Sequence, residues 1–194
     1  MHITEPARQT PLHGEYDVVV LGGGPAGLLA AASATRNGAS VLLVERYGFL
    51  GGMGTAVGVS NFCGLHANVH GTIRQVVHGM TDELLDRMRA LDGLNEPHLI
   101  LGKIHAQAYD ISAFKCAVDG LLRDSGAGVL FHALATGMRA APMATWTRYS
   151  WKPSRAAARP VRVLIDCSGD ADWRPGPACP LKRATPTAAC SIPR

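Results

Sequence analysis

Asp17-Val18-Val19-Val20-Leu21-Gly22-Gly23-Gly24-Pro25-Ala26-Gly27 is a β-branched apolar run that meets a glycine turn without a spacer. Such a run reads as a strand buried on both faces, and the glycines follow it in the spacing G-x-G-x-x-G. Gly22 permits the tight turn, Gly24 lets the backbone approach a pyrophosphate with no Cβ in the way, and Gly27 lets the next helix pack closely on the strand. That helix begins at Pro25 and Ala26, where no N–H is missed, runs to about Asn37 and stops at Gly38. Its first-turn N–H groups and its dipole favour a diphosphate. A second strand, Val41-Leu42-Leu43-Val44, delivers Glu45 about twenty residues after the turn, placed to accept from ribose hydroxyls. A glycine turn alone joins many strands to helices. With the strand before it, the helix after it and the acid at this distance, it is a dinucleotide-binding unit in an α/β fold with a central parallel sheet.

The composition agrees. In 194 residues there are 22 glycines and only 6% aromatics, which suits an α/β nucleotide binder better than a sandwich or a disulfide-rich module. The apolar runs are strand-length, and residues 1–15 are polar, with Pro6 and Pro11, reading as a disordered leader rather than a signal peptide or anchor. The five cysteines, Cys63, Cys116, Cys167, Cys179 and Cys190, are odd in number and scattered, as expected of reduced thiols in a cytoplasmic protein.

After Glu45 comes Arg46-Tyr47-Gly48-Phe49-Leu50-Gly51-Gly52-Met53-Gly54-Thr55-Ala56-Val57-Gly58, too glycine-rich for a stable helix and too apolar for a solvated linker. Val-Glu-Arg followed by Gly-Phe-Leu-Gly-Gly-Met and Thr55 resembles the FAD-dependent oxidoreductases of the glutathione-reductase-like flavoprotein class. The resemblance extends to about Asp172. It implies a Rossmann-like FAD-binding domain over residues 16–172, FAD as cofactor, and a small-molecule substrate or electron acceptor. By resemblance Glu45 binds the adenosine ribose, Arg46 lies near the adenine, and Gly51, Gly52, Met53 and Thr55 pass the pyrophosphate and flavin. Exposed backbone N–H groups with a hydroxyl suit those oxygens physically. Backbone near Leu134 and Ala135 would meet the adenine. Ser168 and Gly169, after the strand Val161–Asp166, match the second cofactor motif, with Asp170 in reach of the ribityl or pyrophosphate region. Two motifs favour FAD over NAD, which needs only the first. An NAD(P)-dependent dehydrogenase domain and a non-catalytic nucleotide-binding module are the other readings.

The flavin-dependent disulfide reductases of that class place C-x-x-x-x-C just after the Gly-Gly pair, and no cysteine stands there, so dithiol chemistry is not expected. Cys63 reads as a small hydrophobe. Cys63, His66 and His70 have a ligand-like spacing, but Gly64 and Gly71 break any helix that would align them, and no metal is expected. His66 or His70 could instead serve as a proton donor or hydrogen-bond partner near a flavin. His132 reads as a strand histidine. Thr72 to Leu91 reads as a helix hinged at Gly79, with Thr81 capping its second piece. Asp92 to Ala108 reads as a loop or β excursion, and Asp110 caps an amphipathic helix carrying Phe114, Ala117, Val118, Leu121 and Leu122.

Up to Arg139 there are 10 basic and 12 acidic residues; from Ala140 onward there are 9 and 3, with 8 of the 12 prolines. A basic nucleic-acid arm is one reading of this shift. Codon arithmetic favours another. Met143 and the tryptophans have single codons, and reading from the last base of Pro142 converts Met143 to Ser154 into Gly-Asp-Val-Asp-Ala-Val-Phe-Val-Glu-Thr-Lys-Ser after a leading Asp. That is a turn and an alternating strand, as the resembling class carries there, and the same shift after Asp172 again yields family-like sequence. The expectation is therefore two frameshifted stretches, 140–160 irregular and 173–194 a disordered basic tail, in a truncated product lacking its substrate domain, with no nucleic-acid or membrane partner.

Overall fold

The apolar runs of the chain assemble side by side, as strands buried on both faces must. The computed structural model describes residues 12–140, 146–152, 157–158 and 163–169. In chain order the elements are β1 (Leu12–Gly14), β2 (Val18–Leu21), α1 (Pro25–Arg36), β3 (Val41–Val44), α2 (Met53–Ala56), β4 (Asn61–Cys63), β5 (His66–Val69) and β6 (Thr72–Gln75). There follow α3 (Met80–Arg89), β7 (His98–Ile100), β8 (Ile104–Ala108), α4 (Ile111–Ser125), β9 (Gly128–Leu130), β10 (Leu134–Ala140), β11 (Trp146–Lys152), β12 (Ala157–Ala158) and β13 (Val163–Asp166).

The central sheet has the order β13-β2-β3-β9 and is parallel throughout, with Val163 and Val41 on either side of Val18 and with Gly128 beside Leu42. Its period of two divides the core. Val18, Val20, Val41 and Leu43 face α1 and α4, where they meet Leu28, Ala31, Phe114, Val118 and Leu121; Val19, Leu21, Leu42 and Val44 form a second buried cluster with Ala133. Asp110 caps α4 by accepting from Ala113 N at 2.7 Å, and Gly126 ends it at φ 82°, as the sequence pattern predicts. Among the described residues no helix is long and apolar enough to cross a membrane.

Several local expectations are corrected. Thr72–Gln75 is a strand, not the first half of a helix: it pairs antiparallel with β5 across a turn at His70 and Gly71, and Ile73, Val76 and Val77 carry the β-branched side chains that favour this outcome. The helix after it is capped by Gly79 rather than by Thr81, and the Asp82 carboxylate accepts from Gly79 N at 2.8 Å. One helical turn, α2, forms inside the glycine-rich segment; the β excursion read over 92–108 is present as β7 and β8, which join β4 in a three-stranded sheet. Within 140–160, where irregular chain is expected, the structure places β11 and β12, in a sheet ordered β1-β12-β11-β10; the aromatic and β-branched alternation from Trp146 to Trp151 is strand-compatible. Residues 1–11 and 170–194 lie outside the described residues, and with them most of the leader and the whole basic tail.

Three helices are tied together by charge. Glu83 on α3 accepts from Arg36 of α1 at 2.6 and 2.9 Å and from Arg87 at 2.9 and 3.1 Å, while Arg87 also donates to Asp124 of α4 at 2.7 Å. The bonds from Arg36 first, then those from Arg87, hold the Glu83 carboxyl at about 2, against its ordinary 4.5. Because the folded-state value is the lower one, the stabilisation is complete above pH 4.5 and is lost as pH falls towards about 2. These groups are partly solvated, so the effect is modest. Replacing Glu83 by Gln should flatten the acid limb of a plot of Tm against pH between those values; an acid limb identical to wild type would contradict the network.

Candidate functional site

Parallel strands release their chains at one end of the sheet, and ligands of such folds bind outside that carboxyl end. Here Leu21, Val44, Ala133 and Cys167 stand at or just beyond those ends and line a cleft of about 480 Å³. Gly22, Gly24, Pro25 and Ala26 form one wall of the cleft, Glu45 and Arg46 a second, Gly52 and Met53 a third, and Ala135, Ser168 and Gly169 complete it. Five segments of the chain therefore meet where the reading of the motifs expects a cofactor.

The glycines do different work. Gly22 has φ +91°, and a Cβ there would lie 2.5 Å from Cys167 O, while a Cβ on Gly27 would lie 1.9 Å from Gly22 O. Both are required by the fold. Gly24 is different: its φ is −68°, and a Cβ would meet only Gly52 Cα, at 3.8 Å, an ordinary contact. The protein itself has no need of glycine at this cleft-lining position, whereas a diphosphate lying on the start of α1 does. The first-turn amides of α1 have no intrahelical acceptor, and Gly24 brings no side chain to cap them. The residues present fit the pyrophosphate of a dinucleotide.

Glu45 is only 4% exposed, and both carboxylate oxygens are engaged: Oε2 accepts from Gly23 N at 2.6 Å and Oε1 from Tyr47 N at 2.8 Å. Each oxygen keeps a further lone pair, so the carboxylate can still accept from hydroxyls in the cleft. Gly23 O in turn accepts from Gly51 N at 2.8 Å, joining the Gly-Gly loop to the glycine turn. At the other edge, Cys167 N donates to Leu21 O, and the Asp166 carboxylate holds the turn by accepting from Ser168 N at 2.9 Å. Burial pushes the Cys167 thiol up, with the Asp166 charge adding to it.

The sequence profile of the family described as FAD dependent oxidoreductase matches residues 17–175. The chain belongs to this family. FAD is its cofactor, and the family works on small-molecule substrates or electron acceptors. Among curated proteins it is 34% identical over 92 residues to a soluble pyridine nucleotide transhydrogenase of Mycobacterium bovis, covering 46% of this chain and 20% of that protein. It is 49% identical over 49 residues to the sarcosine oxidase subunit alpha of a Corynebacterium, covering 25% of this chain and 5% of the other. The chain thus spans a fifth or less of the length of these relatives. Among solved structures, an anhydrotetracycline hydroxylase from Streptomyces rimosus superposes with a TM-score of 0.53 at 20% identity, over 79% of this chain and 31% of the other. A geranylgeranyl bacteriochlorophyll reductase-like protein from Thermoplasma acidophilum gives 0.51 at 19%, over 79% and 39%. These two likenesses are of fold.

In this member of the FAD dependent oxidoreductase family, three residues anticipated at the cofactor do not line the cleft. Gly27 packs helix on strand, Gly51 bonds to Gly23, and Thr55, 7% exposed, spends its hydroxyl proton on Leu50 O at 2.7 Å. Thr55 thus bonds within the loop that the resemblance places along the cofactor. Asp170 lies outside the described residues. His66 and His70 sit on the β5–β6 hairpin, away from the cleft lining; His132 adopts φ +53° just past β9, beneath Gly48. His66 is pushed below its ordinary value by burial, with the charges of His105 and Arg89 adding to it. Among the described residues no three His, Cys, Asp or Glu side chains form a metal-holding group. Sequence reading missed Tyr47, Ala56, Val57 and Cys167 as lining residues; position at the end of a parallel strand was the available signal for Cys167.

Glu45→Gln should weaken FAD binding by about tenfold or more, because an amide nitrogen replaces one acceptor in a buried, charge-assisted set. Isothermal titration of apoprotein with FAD measures it, and an unchanged Kd would remove Glu45 from the site.

Proposed function

We propose that the cleft holds FAD with its pyrophosphate on Gly24, Pro25 and Ala26, its adenosine ribose on Glu45, its adenine between Arg46 and Ala135, and its flavin end towards Gly52, Met53, Ser168, Gly169 and Asp170, for hydride transfer with a small-molecule substrate or electron acceptor in the cytoplasm. The observation that carries this reading is Gly24, a cleft-lining glycine that the fold does not demand. Bound FAD supplies the redox chemistry. The chain's own groups supply position: the α1 amides face the negative charge, Glu45 fixes the ribose, and the apolar lining from Leu21, Val44 and Ala133 excludes water from the inner wall.

The proposal extends to 140–160 and 173–194 as stretches read out of the frame used by the rest of the chain, supported by the abrupt rise in Arg and Pro there. Sequencing the gene tests this, and an intact reading frame in a chain that turns over substrate would overturn it.

Gly24→Ala and Gly24→Val should leave the apoprotein's Tm within a few degrees of wild type while progressively abolishing FAD binding, about tenfold for the methyl group and beyond detection for the larger side chain. Retention of FAD by the valine variant would make the turn merely structural.

A further inference from the structure

The loop from Gly52 to Val59 forms one wall of the cleft, yet two of its cleft-facing residues, Met53 and Val57, are 64% and 62% exposed. Beneath the loop lies Tyr109, 7% exposed, at the end of β8. Its ring stacks on Phe62 at 4.2 Å between centroids and meets Phe114 edge-on at 5.1 Å. Its hydroxyl reaches Gly54 O at 3.2 Å and also Val59 O, so one phenol is shared by two carbonyls on either side of Ala56 and Val57. The loop rests directly on this group: a Cβ on Gly54 would lie 2.6 Å from Tyr109 Oη and 2.6 Å from Phe114 Cε1. Burial pushes the phenol up, so it stays a donor throughout the physiological range. The adenosine end of the cleft, at Glu45, Arg46 and Ala135, is built from other segments and has no bond to Tyr109 among those described.

We propose that Tyr109 is a positioning residue for the flavin half of the cofactor, clamping the 52–59 wall from below; this rests on the cleft being the FAD site. The two halves of FAD then separate the roles of the two ends. Tyr109→Phe keeps the stacked rings and removes only the shared hydroxyl, leaving Gly54 O and Val59 O without it. It should weaken FAD by about tenfold while leaving the Kd for ADP, which lacks the flavin half, within about twofold of wild type.

Both constants are measured by titration of the 194-residue apoprotein, and hydrogen exchange of the amides from Gly54 to Ser60 in the same apoprotein gives a readout that needs no cofactor; it should accelerate in the variant. Gly54→Ala, which pushes the loop off an intact tyrosine, should reproduce the FAD-selective loss even where Tyr109→Phe folds poorly. Equal losses for FAD and ADP, or unchanged FAD binding with unchanged exchange, would overturn the clamp. Failure of the wild-type protein to bind either ligand would instead overturn the FAD-site reading on which it rests.

Discussion

Both backbone polar groups of Gly23 are committed: its N–H to the buried Glu45 carboxylate and its C=O to Gly51 N. That one residue joins the glycine turn after β2, the acid after β3 and the Gly-Gly loop into a single unit. A buried carboxylate is tolerable only when its lone pairs find donors, and here the donors are the main-chain groups that shape the site. A Cβ on Gly23 would lie 2.5 Å from Leu50 Cδ2 and 3.0 Å from Glu45 Oε2, so a side chain here requires the buried Leu50 to shift.

This constraint explains why the cleft is preformed. Helix α1 starts where Gly22 turns the chain, β3 brings Glu45 alongside, and Cys167 bonded to Leu21 O closes the second edge, so the walls are fixed by backbone bonds rather than by long flexible side chains. Preorganisation of that kind lowers the ordering cost of binding a large dinucleotide. The wall least supported by the sheet is the one carrying Met53 and Val57, and it is there that the structure uses a buried phenol.

The parallel sheet, α1 and α4 were legible because each rests on a strong local pattern: unbroken β-branched runs, a glycine turn with fixed spacing, and an apolar stripe between Asp110 and Gly126. The same locality made the tight turn at Gly22 and the close packing at Gly27 readable, and it placed Gly24 and Glu45 at the cleft. The segment 61–108 was less so. Its strands are three to five residues long, too short for a period to declare itself: β4 bonds to Ala106–Ala108, far along the chain, and Thr72–Gln75 is fixed as a strand by its hairpin pairing with His66–Val69 rather than by propensity. Thr55 illustrates a different limit. A hydroxyl near a glycine loop can donate to an anion or to a carbonyl of its own loop, and only the fold shows that its proton goes to Leu50 O.

Family membership and the geometry of Gly24 and Glu45 converge on one claim, that this cleft is built for FAD. The most direct measurement is identification of the cofactor released when the purified chain, after incubation with FAD and NAD together and removal of free ligand, is denatured and its supernatant separated by chromatography. The account predicts close to one FAD per chain and no NAD. Recovery of NAD in place of FAD, or of neither, would contradict it.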